Sequence, residues 1–135
     1  MKALQAMVIA FALVTACFAQ DAVKKVFTAT PGPDGIQKVS VTGGEYFFDP
    51  NHIIVKVNVP VELSVKKEGS IVPHNIVMKS PEAGMEFDES MGTEPKVIRF
   101  TPTKTGTYSF SCTKKLLFFR SHEARGMKGE IEVVK

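Results

Sequence analysis

Tryptophan is absent from this chain, and its 135 residues include only two cysteines and three histidines. Each shortage excludes something. Two cysteines cannot build a disulfide framework, and no cysteine or histidine pair has the short spacing of a zinc site. There is no glycine-rich phosphate loop. Ser64, Ser70 and Ser111 have no spare histidine–acid pair to activate them, so nucleophilic catalysis lacks support and no enzyme is expected. Sustained helical periodicity, repeats and low-complexity tracts are missing as well. The formal charge of +3 is small. With no basic helix and no aromatic stacking pattern, nucleic acid is not an expected partner.

No apolar run approaches the roughly 18–20 residues that a membrane-spanning helix needs. The run from Ala6 to Val14 is shorter. It follows Lys2 and precedes small residues around Cys17 and Ala19, which makes residues 1–19 a secretory signal peptide. Two processing outcomes compete: cleavage after Ala19, and lipidation of Cys17 in the lipobox-like run Val14-Thr15-Ala16-Cys17. Either way the protein is exported, to the periplasm or beyond, and Cys112 remains as its single free thiol. Exported proteins usually carry cysteines in even numbers. A lone thiol is therefore either a small buried hydrophobe or a metal ligand. Without Lys2, 16 basic residues face 14 acidic ones, a formal +2.

The remainder reads as a polar lead over residues 20–36, with the turn Pro31-Gly32-Pro33-Asp34-Gly35, and one domain over residues 37–135. Its segments are short and strand-like: around Val39 and Val41, at Tyr46-Phe47-Phe48, Ile53 to Val57, Val61 to Val65, Ile76-Val77-Met78, Val97 to Phe100, Thr107 to Ser111, and Gly129 to Val134. Turn signals separate them. Residues 80–95, rich in proline, glycine and acids, read as an irregular connection with one helical turn. Seven to eight strands at this spacing predict an all-β Greek-key sandwich.

Cys112, His122 and Met127 fall in the last quarter, and His74 lies upstream. One thiolate, two imidazoles and one thioether form the donor set of a mononuclear copper site that moves electrons. The stretches Tyr46-Phe47-Phe48-Asp49-Pro50 and Ile53 to Val57, Val72-Pro73-His74-Asn75, Gly106-Thr107-Tyr108-Ser109-Phe110-Ser111-Cys112, and His122 followed by Met127-Lys128-Gly129-Glu130-Ile131 together resemble the cupredoxin family, plastocyanin-like small blue copper proteins most of all. The resemblance covers roughly residues 38–135. It implies a metal site of His74, Cys112, His122 and Met127. His122 would be the imidazole that reaches the surface, and Met127 the weak axial ligand. Asn75 would brace the loop bearing Cys112 through hydrogen bonds behind the ligands.

One departure matters. Plastocyanin-like members place the cysteine and the second histidine only a few residues apart, whereas here residues 113–121 intervene. A looser loop would favour a more tetragonal, red or green centre, or admit a further ligand. Within it, Leu116-Leu117-Phe118-Phe119 either packs onto the core or forms an exposed docking patch. Lys114, Lys115, Arg120, Arg125 and Lys128 surround it, opposed only by Glu123. They are either a solvated loop or a positive collar steering an acidic partner. His52 reads as a partly exposed surface residue, with a replacement ligand for His122 as the rival reading. Met78, Met85 and Met91 read as core or surface side chains rather than a second soft-metal site.

Three functions follow. The first is a one-electron carrier with one copper ion cycling between Cu(I) and Cu(II), a monomer docking redox partners near His122 and the 113–121 loop. The second is copper binding and delivery. The third is a cupredoxin with a non-blue centre.

Overall fold

The computed structural model describes residues 23–115 and 117–135. The expected signal peptide, Cys17 and Leu116 lie outside the described residues. Ten strands form two sheets: β1 (Val26–Thr28), β2 (Gln37–Gly44), β3 (Phe47–Asp49), β4 (His52–Lys56), β5 (Val61–Lys67), β6 (His74–Ser80), β7 (Met85–Met91), β8 (Lys96–Phe100), β9 (Gly106–Ser111) and β10 (Lys128–Val134). The larger sheet runs β1-β4-β10-β9-β6-β7, and the smaller runs β3-β2-β5-β8. Both are mixed: β1, β4 and β10 run parallel, as do β2 and β5, and the other pairs are antiparallel. Most spatial neighbours are distant in sequence, so the chain crosses repeatedly between sheets, as a Greek-key sandwich requires.

Period-two patterning drives the packing. In β5, Val61, Leu63 and Val65 are buried while Glu62 and Ser64 alternate with them on the other face. The core fills with Phe48 edge-on to Phe110, their centroids 5.2 Å apart, and with Ile53, Leu63, Ile76, Met78, Met85 and Ile131. Gln37 is fully buried yet satisfied: its amide donates to the carbonyls of Lys56 and Val59 and accepts from the Lys56 N–H.

Two strands exceed the eight read from the sequence. β1 sits in the segment read as a polar lead and pairs with β4 at the sheet edge. β7 replaces most of the irregular connection expected over residues 80–95. Only Pro81–Ala83 forms a helical turn, closed by Gly84 at φ 73°. From Met85 the chain pairs with β6 along its whole length. Met85, Phe87 and Met91 face inward while Glu86 and Asp88 face water. The acids that made the segment look like a loop are the outer face of an edge strand, where charge discourages pairing with another chain.

Candidate metal centre

Four positions converge at one end of the sandwich. His74 opens β6, Cys112 directly follows β9, and Met127 directly precedes β10. His122 stands at the entry to a single turn over Glu123–Arg125. Because β10 pairs with β9 and β9 with β6, these strand ends arrive side by side. The Cys112 N–H donates to the Met127 carbonyl at 3.0 Å, and the Met127 N–H donates to the His122 carbonyl at 2.9 Å.

The long loop is closed at its base. The His122 N–H donates to the Lys114 carbonyl at 2.9 Å, and the Glu123 N–H to the Cys112 carbonyl at 3.2 Å. Residues 115 and 117–121 thus belong to an excursion pinched off from a compact ligand loop. The side chains gather accordingly. His74 Nδ1 and His122 Nδ1 lie 3.1 Å apart, Cys112 Sγ lies 3.5 Å from His122 Nδ1 and 3.9 Å from His74 Nδ1, and all three residues are buried.

This cluster fits a metal ion. The point equidistant from the three donor atoms lies about 2 Å from each, close to metal–imidazole and slightly inside metal–thiolate bond lengths. Burial and the neighbouring His122 and Lys67 lower the His74 pKa from 6.5 to about 4; burial and Arg125 also lower that of His122. Both rings are therefore neutral donors at neutral pH. Two neutral imidazoles aiming nitrogens at one another beside a thiol invite a shared cation. The soft sulfur and two nitrogens suit copper, with a thioether as weak axial partner. Met127 is fully buried. A Cβ placed on Gly43 would come within 3.1 Å of the Met127 methyl and 3.0 Å of the Met91 methyl, so this glycine makes room for both thioether side chains.

Asn75 takes the bracing place expected of it. Its amide donates to Thr113 Oγ1 at 2.9 Å and Asp88 Oδ1 at 3.0 Å, and its carbonyl oxygen accepts from the Thr113 N–H at 2.9 Å. The Asn75 backbone N–H points at Cys112 Sγ, 3.5 Å away. The polar bonds thus fix the residue after Cys112, while a backbone donor faces the sulfur itself.

Two expectations fail. His122 does not reach the surface, being 3% exposed. Tyr46 packs edge-on against its ring at 5.3 Å, and Arg125 stacks over Tyr46 while donating to its hydroxyl. Tyr46 lies in the turn between β2 and β3 at φ 64°, a placement no sequence pattern signals. His52 is buried rather than exposed, with Nδ1 2.6 Å from Glu130 Oε1 and Nε2 2.9 Å from Glu132 Oε2. Both its nitrogens are engaged, so it does not stand in for His122. The apolar residues described in the excursion do not pack onto the core: Leu117, Phe118 and Phe119 are all exposed.

A two-sheet sandwich with two imidazoles and a cysteine sulfur gathered between strand ends at one pole defines a class of protein, the cupredoxins. The chain belongs to the cupredoxin-like domain family, which matches residues 6–131. It is similar to the metal-binding domain of the Cu(I)-exporting P-type ATPase CopA of Streptococcus pneumoniae D39, solved with Cu(I). Identity is 27% and the TM-score 0.63, over 84% of this chain and 100% of that one. A copper-binding protein solved in its apo form is 25% identical at a TM-score of 0.56, over 80% and 96%. Auracyanin from Roseiflexus castenholzii, 22% identical at a TM-score of 0.55 over 73% and 97%, shares the fold. No curated protein matches the chain. Family membership and the His74–Cys112–His122 cluster together support one copper ion as cofactor.

Proposed function

We propose that this is an exported one-electron carrier whose copper is held by His74, Cys112, His122 and Met127. The observation that carries the reading is the compact triangle of two imidazole nitrogens and one cysteine sulfur, all buried. Bound there, copper supplies a Cu(I)/Cu(II) couple. The chain supplies the rest. Neutral imidazoles serve both oxidation states, and the thiolate and thioether hold the reduced ion. Strand ends and the Asn75 bracing fix three of the four positions, which limits rearrangement between states. The Tyr46–His122 face opens into a shallow recess lined by Phe119, Arg120 and Arg125. Redox partners would dock there, drawn by the surrounding cations.

Copper delivery is the second reading, favoured by the likeness to a domain of a copper-exporting pump. Reductive and oxidative titration of the copper-loaded protein separates the two. A carrier cycles reversibly through one electron with its metal retained. A protein that holds only Cu(I) and releases it on oxidation is a delivery protein, and the carrier reading is then wrong.

A further inference from the structure

The excursion through residues 115 and 117–121 lies beyond the backbone bonds that close the ligand loop, and it has no task in holding the metal. Its tip is the turn through Leu117, Phe118 and Phe119, with exposures of 76%, 103% and 59%. Leu117 turns the chain at φ 48°, in the left-handed region that a branched side chain seldom adopts. No other run of three consecutive large apolar side chains is exposed among the described residues. Lys114, Lys115 and Arg120 flank the tip in sequence, Arg125 lies 6.0 Å from the Phe119 ring, and Lys128 opens β10 nearby in the chain; among the described residues none of the five lies in an ion pair. Glu123 is the only acid between Cys112 and Met127.

We infer that Leu117-Phe118-Phe119 is an interfacial anchor that enters the headgroup region of an anionic lipid bilayer, holding the metal pole against the membrane. Apolar side chains ringed by lysine and arginine are the chemistry of an interfacial membrane contact. Shape favours lipid over a protein groove. The Phe118 side chain projects wholly into solvent, so a protein would need a matching pocket, whereas acyl chains part around any outline. The basic ring meets anionic headgroups, and the aromatic side chains reach the level just beneath them. Glu45 and Glu68, beside the exposed Ile71 on the other flank of His74, mark where the basic surface stops. The pole would thus face partners embedded in the same membrane.

The lack of tryptophan makes the test specific. The full chain carrying Phe118→Trp, free of copper, is mixed with vesicles of phosphatidylcholine and phosphatidylglycerol. Indole emission should shift to shorter wavelength and be quenched by brominated acyl chains. Adding Lys114→Glu and Lys115→Glu should weaken the apparent affinity about tenfold or more. Val97→Trp, an exposed site on β8 in the other sheet, should not shift, which separates this tip from any contact made elsewhere by the chain. Unshifted Phe118→Trp emission overturns the inference. So does an equal shift at both positions. A shift that appears only with protein-bearing membranes, and not with pure lipid, overturns it in favour of a protein partner. Because copper is absent throughout, failure here leaves the proposed copper function standing.

Discussion

Replacing Asn75 with alanine removes three side-chain hydrogen bonds at once: two to Thr113 and one to Asp88. Asn75 is 3% exposed, whereas Thr113 and Asp88 both face solvent. Water can therefore re-satisfy Thr113 and Asp88 in part, which keeps each loss near the ordinary net value of a hydrogen bond. At about 1 kcal/mol for each bond to Thr113 and less for the one to Asp88, the metal-free protein should lose about 2–3 kcal/mol. With a urea slope of about 1–3 kcal/mol/M, the midpoint falls by roughly 1–2 M. The copper site should feel the change through the residue following the thiolate, with affinity lowered by about 10–100-fold. The backbone donor to Cys112 Sγ survives the substitution, so the ligand set should stay the same while binding weakens. Urea unfolding of the apoprotein and competition with a copper chelator measure the two effects separately. Asp88→Asn, which perturbs only the solvent-facing bond, should cost well under half as much. If Asn75→Ala changes stability by less than about 0.5 kcal/mol and leaves copper affinity alone, the bracing argument is refuted.

Two further outcomes follow from the geometry. Gly129→Ala places a methyl 2.4 Å from Phe110 Cζ and 2.6 Å from the Asn51 carbonyl oxygen. That oxygen accepts the Glu130 N–H and cannot give way, so a cost of about 2 kcal/mol or more and a melting point lower by roughly 5–10 °C are expected; an unchanged melting curve would show that β9 and β10 do not pack this closely. Titration of the apoprotein supplies the other. His74 has a folded pKa of about 4 against 6.5 in an exposed chain, so below pH 6.5 the unfolded state takes up a proton that the folded state refuses. Its stabilising contribution is complete above pH 6.5 and is lost as pH falls toward 4. About 1–2 kcal/mol should disappear between pH 6.5 and 5, above most carboxylate titration. His122, shifted the same way, adds to the loss. A flat stability profile over that interval would mean that the imidazoles are not buried in the metal-free protein.

Much of the sandwich is legible because one face of each strand is buried. Val61, Leu63 and Val65 alternate with Glu62 and Ser64, and that pattern has only one reading. The cluster of His74, Cys112 and His122 is legible for a related reason: few histidines and one free thiol leave few combinations. What stays hidden depends on partners remote in sequence. The two glutamates that enclose His52 lie on β10, and only the parallel pairing of β4 with β10 brings them to it. The exposed fate of Leu117, Phe118 and Phe119 depends on the backbone bonds of Cys112 and Lys114 to residues 122 and 123, which no periodicity encodes. β7 is a different failure. Its alternation is present in Met85-Glu86-Phe87-Asp88, but acids and glycines on either side disguise an edge strand as a loop.

The central claim is that Cys112, with His74, His122 and Met127, holds the copper. Visible absorption and EPR of the Cu(II)-loaded protein, recorded beside Cys112→Ser, test it most directly. The expected result is intense visible absorption from thiolate-to-copper charge transfer in the native protein, abolished in the serine variant. Colour that persists in Cys112→Ser, or a Cu(II) complex of the native protein that is colourless, would contradict it.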